Sequence, residues 1–210
     1  MKKEAICRIF SRMPELQTER LILRRMLVTD AQDMYEYARR ADVTRYLLWS
    51  PHPDIRHTRE YLQYLTTRYA AGSFYDWAVV LKKNNRMIGT CGFTTIDCPH
   101  DAAEIGYVLN PDYHGMGIAP EAVEAVLAYG FDRLLLHRIE ARFMEGNDAS
   151  LRVMEKVGMR FEGFRRESML VKGSYRTIGT CSILFDEYAK RKAEIGEKNE
   201  ILAKNHVLFS

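Results

Sequence analysis

Apolar residues change their spacing several times along the chain, and each change marks an element. Leu21-Ile22-Leu23-Arg24 predicts a short strand. Ala31, Met34, Tyr35 and Ala38 recur at helical spacing within Asp30 to Arg40, behind the cap candidates Thr29 and Asp30. Trp49-Ser50-Pro51-His52-Pro53 interrupts the pattern, and a second helix is expected from about Thr58 to Ala71, closed by Gly72. Tyr75 to Lys82 and Met87 to Ile96 read as antiparallel strands around the turn Lys83-Asn84-Asn85-Arg86, and Ala103 to Leu109 as a third strand. Gly117 to Leu134 carries the strongest helical signal, with Ile118, Ala122, Val123, Val126, Leu127, Phe131 and Leu134 on one apolar face. Arg138 to Met144 is a strand. Asn147 to Val157 is a shorter helix ended by Gly158, the residue type expected just past a helix C-terminus. Arg160 to Glu167 and Tyr175 to Phe185 complete the set of strands, and the charged segment from Glu187 onward reads as a loosely attached helix.

This order predicts an α/β (α+β) fold, a mixed, mostly antiparallel central sheet of about six or seven strands with helices on both faces. The 210 residues are 47% apolar and 28% charged, which fits one globular domain. Cys7, Cys91, Cys98 and Cys181 form no Cys-x-x-Cys pair, so neither a disulfide scaffold nor a metal site is expected. The longest apolar runs, such as Ala78 to Leu81, are far too short for a bilayer span, and Glu4 and Arg8 break any N-terminal apolar segment. A cytoplasmic, reduced protein without a membrane partner follows. A net charge of +3, with short basic clusters interleaved with acids, argues against nucleic acid as the main partner and stays compatible with a polyanionic small molecule.

The most informative stretch is Glu104-Ile105-Gly106-Tyr107-Val108-Leu109-Asn110-Pro111-Asp112-Tyr113-His114-Gly115-Met116-Gly117-Ile118-Ala119-Pro120. A strand leads through a glycine-containing turn into the long helix, whose first N–H groups and dipole suit a phosphate. Gly115 and Gly117 remove the Cβ atoms that would hold an anion off the backbone, and Pro120 fits a first helical turn. The same residues also fit a plain helix start. A dinucleotide turn fits poorly, because the third glycine of G-x-G-x-x-G falls on Pro120, and no P-loop motif is present.

His114-Gly115-Met116-Gly117-Ile118-Ala119 resembles the [RQ]-x-x-G-x-[GA] hallmark of the GCN5-related N-acetyltransferases, with His114 in place of Arg or Gln. The chain is most similar to the branch that acetylates ribosomal-protein N-termini, through Thr18-Glu19-Arg20-Leu21-Ile22-Leu23-Arg24, Glu104 to Leu109, Asn147-Asp148-Ala149-Ser150, and Glu155-Lys156-Val157-Gly158-Met159. The resemblance implies an acetyltransferase domain over residues 14–188, an N-terminal extension 1–13 and a helical C-terminal tail 189–210. It implies acetyl-CoA as co-substrate and no metal. His114, Gly115, Met116, Gly117, Ile118, Ala119 and Pro120 would wrap the pyrophosphate, and Tyr107, Val108 and Leu109 would pair with the pantetheine arm and polarise the thioester carbonyl. Asn147 would hydrogen-bond the cofactor, although a helix cap explains it equally well.

Acetyl transfer to an amine needs a neutral nucleophile and a proton for the departing thiolate. An α-amine with a pKa of about 8 is roughly one-tenth neutral at pH 7, so a base working through water is enough. Glu104, on the strand leading to the thioester, is the first candidate base, with Glu167 or water as alternatives and a plain salt bridge as the structural reading of Glu104. Relatives carry a tyrosine seven residues after the asparagine; here that residue is Met154, which leaves the Ser150 hydroxyl as the candidate acid. Tyr46, Trp49, Tyr61 and Tyr64 are candidates to line the acceptor cleft or to be ordinary core aromatics. Arg176-Thr177 stands where the ribosomal enzymes carry an acid. The expectation is direct acetyl transfer to a primary amine, a protein N-terminus or a small amine, by a monomer or homodimer. A non-catalytic acyl-CoA-binding module and a dinucleotide oxidoreductase are the rival readings.

Overall fold

The computed structural model describes residues 3–195. Its strands are β1 (Leu16–Gln17), β2 (Leu21–Arg24), β3 (Tyr75–Leu81), β4 (Met87–Asp97), β5 (Ala102–Leu109), β6 (Arg138–Met144), β7 (Arg160–Val171) and β8 (Ser174–Leu184). The helices are α1 (Lys3–Ser11), α2 (Ala31–Ala38), α3 (Ala41–Thr44), α4 (Ile55–Ala70), α5 (Ile118–Asp132), α6 (Asp148–Lys156) and α7 (185–195). The strands form one eight-stranded sheet in the order β1-β2-β3-β4-β5-β6-β8-β7, rather than the six or seven expected. The additional strand is β1, two residues paired with β2 through Leu16↔Leu23 and Gln17↔Ile22, too short to leave a periodic signal.

Both faces of the sheet are covered. On one, α1, α5 and α6 pack Phe10, Val126, Leu127 and Met154 against Trp77, Val79, Cys91, Ile105 and Ala141. On the other, α2 and α4 pack Met34, Tyr37, Leu62 and Leu65 against Ala78, Val80 and Met87. This double covering explains the unbroken apolar run Trp77 to Leu81, since successive side chains enter opposite cores. Helix α1 is part of the first core: Ile6 and Phe10 are fully buried, and the Phe10 ring stands edge-on to Tyr75 at 4.8 Å and to Trp77 at 5.7 Å. Each such side chain contributes about 1.5–3 kcal/mol through burial.

Among the described residues only β5 and β6 run parallel. Their register extends from Ala102↔Arg138 to Ile105↔Ala141 and stops there. Beyond it Gly106 to Leu109 continue to pair with β4, and Arg142 to Met144 with β8. The sheet therefore splits between β5 and β6, and the α5 turn follows directly from the end of β5. The antiparallel pairs on either side exclude a dinucleotide-type parallel sheet.

At the C-terminal side, Tyr188 stacks on Phe131 at 4.8 Å and donates to Asp132, which also receives Lys192 at 2.7 Å. Of the expected tail 189–210, residues 189–195 continue α7 and the remainder lies outside the described residues. Among the described residues no helix is long and apolar enough to cross a membrane.

Candidate active site

The turn before α5 is built for close approach. Pro111–Tyr113 form one tight helical turn, His114 is extended, and Gly115 and Gly117 take φ of 77° and 73°, a region that only glycine enters freely. A Cβ on Gly115 would meet nothing within 4 Å, and one on Gly117 only Arg20 Nη2 at 3.6 Å, so open space lies in front of the helix. The helix's first backbone bond runs from the Glu121 N–H to the Gly117 carbonyl at 3.3 Å, which leaves the Ile118 and Ala119 N–H groups without a helical partner. His114 Nε2 lies 3.2 Å from the Leu109 carbonyl. A carbonyl only accepts, so Nε2 carries the proton and the imidazole ties the turn to the end of β5.

A second set of contacts braces this turn from the connection between β1 and β2. Arg20 donates from Nη1 to the Met116 carbonyl at 2.8 Å and from Nε to Glu121 at 2.6 Å, and the Thr18 hydroxyl donates to the other Glu121 oxygen at 2.5 Å. Burial pushes the Glu121 carboxyl up, but the bonds from Thr18 and Arg20 outweigh it and hold the group below the usual carboxylate range.

The split exposes different chemistry on its two faces. On the α2/α4 face the Glu104 carboxylate, 14% exposed, forms an ion pair with Arg142, each one residue to either side of the last paired rung. On the α5/α6 face the Tyr107 hydroxyl lies 2.9 Å from both the hydroxyl and the carbonyl of Ser150. Burial raises the Tyr107 phenol, with the Ser150 bond opposing. Asn147 caps α6, its Oδ1 accepting from the Ser150 N–H at 3.3 Å. Met154, one turn on, is a fully buried core residue.

The turn, Tyr107 to Leu109, Asn147, Ser150 and Glu104 thus surround one split. Glu167 stands apart, exposed at an irregular point of β7 with φ of 49°. Tyr46 packs beside Met144, Val171 and Ile178, and Trp49 and Tyr61 beside the α2/α4 core, whereas Tyr64 is 52% exposed and receives a bond from Arg68. Cys91 and Cys181 are fully buried, which raises both thiols, that of Cys181 to about 11.

Sequence reading misses two features. The Tyr107 side chain joins Ser150, although only its backbone drew attention. Asp76, a lone acid inside the apolar strand β3, was the available signal for the second: its Oδ1 and the Tyr37 hydroxyl are both buried with no hydrogen-bond partner. Among the described residues no cluster of His, Cys, Asp and Glu could hold a metal ion.

The sheet splits beside a glycine turn at a helix N-terminus, and comparison with known proteins gives the family. Residues 20–160 match the family model described as an acetyltransferase (GNAT) domain. An uncharacterized N-acetyltransferase, p20 of Bacillus licheniformis, is 35% identical over 177 residues, covering 84% of this chain and 99% of the relative. The crystal structure of a GNAT-family acetyltransferase from Bacillus anthracis superposes with a TM-score of 0.73 at 31% identity, covering 82% of this chain and 99% of the other. A Vibrio cholerae spermidine N-acetyltransferase, solved with CoA and spermine, shares the fold with a TM-score of 0.69 at 21% identity over 82% of this chain and 99% of its own. The chain belongs to the GNAT acetyltransferase family and is an acetyl-CoA-dependent acetyltransferase.

Proposed function

We propose that this enzyme moves the acetyl group directly from acetyl-CoA to a primary amine, a protein N-terminus or a small amine. The observation that carries the reading is the end of β5–β6 pairing at Ile105↔Ala141 beside the open turn at Gly115 and Gly117. The turn from His114 to Pro120 receives the pyrophosphate through backbone N–H groups and the positive end of α5. The unpaired edge of Tyr107 to Leu109 takes the pantetheine arm as an added strand, and its N–H groups polarise the thioester carbonyl. Asn147 keeps its cap on Ser150 through Oδ1, which leaves its amide NH2 to donate to the arm.

The amine nitrogen attacks the carbonyl carbon, the C–S bond breaks, and a proton passes from nitrogen to Glu104 or, through water, to solvent. The departing thiolate accepts a hydrogen bond from the Ser150–Tyr107 hydroxyl pair, and any proton the pair passes on is replaced from solvent; with a thiol pKa of about 8.5 the leaving group needs little help. No acyl-enzyme forms: Cys91, Cys98 and Cys181 lack a neighbouring motif for activation, and burial further raises the Cys91 and Cys181 thiols. Thiol release from acetyl-CoA against N-terminal peptides and small amines, with mass spectrometry of the products, tests the reading. Release with an acetylated amine is expected, and coenzyme A binding without release would replace the enzyme with a binding module.

A further inference from the structure

The strand register places Asp76, Gly92 and Gly106 in one row across β3, β4 and β5. Gly106 is the first residue of β5 beyond its pairing with β6, so the row ends at the split. Asp76 faces the α2/α4 side, the side that also carries Glu104. Tyr37 of α2 and Tyr61 of α4 are its electrostatic neighbours there, and Tyr69 of α4 donates to its backbone carbonyl at 2.6 Å. A Cβ on Gly92 would lie 2.3 Å from Asp76 Cα, 2.4 Å from the Tyr75 carbonyl oxygen and 2.8 Å from Asp76 Oδ1, so the close approach of β3 and β4 beside the carboxylate requires glycine.

Two polar groups here are unsatisfied. Asp76 Oδ1 has no hydrogen-bond partner, although Thr90 and the Trp77 N–H bond the carboxyl, and the Tyr37 hydroxyl, in a residue 1% exposed, has none either. A buried acceptor without a donor costs about 1–3 kcal/mol, and more when charged, so fold stability alone does not favour this pair. Asp76 keeps some accessible surface, whereas Tyr37 keeps almost none.

Resting on the acetyltransferase reading above, we propose that Asp76, with the Tyr37 hydroxyl, receives a second cationic group of the acceptor, which makes a diamine the preferred substrate over a monoamine. Two strand spacings, about 10 Å, separate the backbones of Asp76 and Gly106. That span is too long for Asp76 to take a proton from the reacting nitrogen and suits the far end of an extended diamine. An ammonium group supplies the donors that Oδ1 lacks. Burial lifts the Asp76 carboxyl to about 7, the environment of an anion that awaits a counter-charge.

The test compares 1,4-diaminobutane and longer diamines with monoamines of equal chain length, in the wild type, Asp76→Asn and Tyr37→Phe. The wild type is expected to favour the best diamine by about 10-fold or more in kcat/KM, the scale of one charge-assisted hydrogen bond. Asp76→Asn should remove that preference through KM, with monoamine turnover and coenzyme A affinity unchanged; Tyr37→Phe should reduce it in the same direction. Equal wild-type turnover of diamines and monoamines, or equal losses on both in the variants, would overturn the proposal while leaving the acetyltransferase reading intact. Absence of turnover with every amine would instead count against that reading.

Discussion

Arg20 reaches from the connection between β1 and β2 to the Glu121 carboxylate in the first turn of α5, at 2.6 Å. The same guanidinium holds the Met116 carbonyl, so a residue nearly a hundred positions upstream shapes the turn from behind. This gives a physical reason for the Thr18-Glu19-Arg20-Leu21 landmark: Thr18 and Arg20 both end on Glu121, and Lys82 in turn donates to the Thr18 carbonyl at 2.5 Å. Arg20→Ala should therefore weaken coenzyme A binding by about 3- to 10-fold, the loss of one partly exposed charged bond. Isothermal titration checks this, and unchanged affinity would make the brace irrelevant to the turn.

Gly117→Glu places a side chain and a negative charge in the open space before α5, at a backbone φ of 73° that side chains resist. Coenzyme A affinity should fall by about 100-fold or more, with the far-ultraviolet spectrum retained, because α5 is held by its buried face of Val123, Val126 and Leu127. Normal affinity in a folded variant would show that the turn holds no phosphate.

Glu104→Gln should lower kcat by about 100-fold while leaving acetyl-CoA affinity within about 2-fold, the usual effect of removing a general base. A loss of only a few-fold would assign the proton to water and leave Glu104 as the ion-pair partner of Arg142. Tyr107→Phe and Ser150→Ala should each cost no more than about 10-fold in kcat, since a thiolate is a good leaving group.

Asp76 makes a separate prediction about stability. Burial raises its carboxyl from its ordinary value of 3.8 to about 7, against bonds from Thr90 and the Trp77 N–H. The folded protein then keeps a proton that the unfolded chain releases. Stability from this group is lost as pH rises from about 4, and the loss is complete above about 7, at about 4 kcal/mol. Tyr37, Tyr61 and Tyr69 face the carboxyl from the helices and Cys91 lies on the adjacent strand, and burial holds all four uncharged over this range. Asp76→Asn should raise Tm, and by more at about pH 8.5 than at about pH 5. An equal or lower Tm at the higher pH would contradict the assignment.

Much of the fold was legible in the sequence because its elements bury regular faces. The strand Arg138–Met144 coincides with its expected limits, and α5 follows from its apolar face. Helix α4 begins at Ile55 rather than near Thr58, because the Asp54 side chain caps it by accepting from the His57 N–H at 2.8 Å. Strand β7 runs to Val171, past the expected end at Glu167, because an irregularity between Arg165 and Met169 absorbs the break in alternation. Helix α1 was missed because Ile6, Ile9 and Phe10 stand at helical spacing over only nine residues, too short a stretch for the period to stand out, and two-residue β1 carries no period. At the site, the turn and the caps are local and could be read directly. The Glu104–Arg142 pair, the Tyr107–Ser150 contact and the Asp76 row depend on register between distant segments, which periodicity does not encode.

The central claim is tested most directly by mixing the purified protein with acetyl-CoA and a panel of N-terminal peptides and small amines, following free thiol and acetylated product together. The account predicts one thiol released for each amine acetylated, abolished in Gly117→Glu and preserved when Cys91, Cys98 and Cys181 are replaced by serine in a folded protein. Tight binding of coenzyme A with no thiol release from any amine would contradict it.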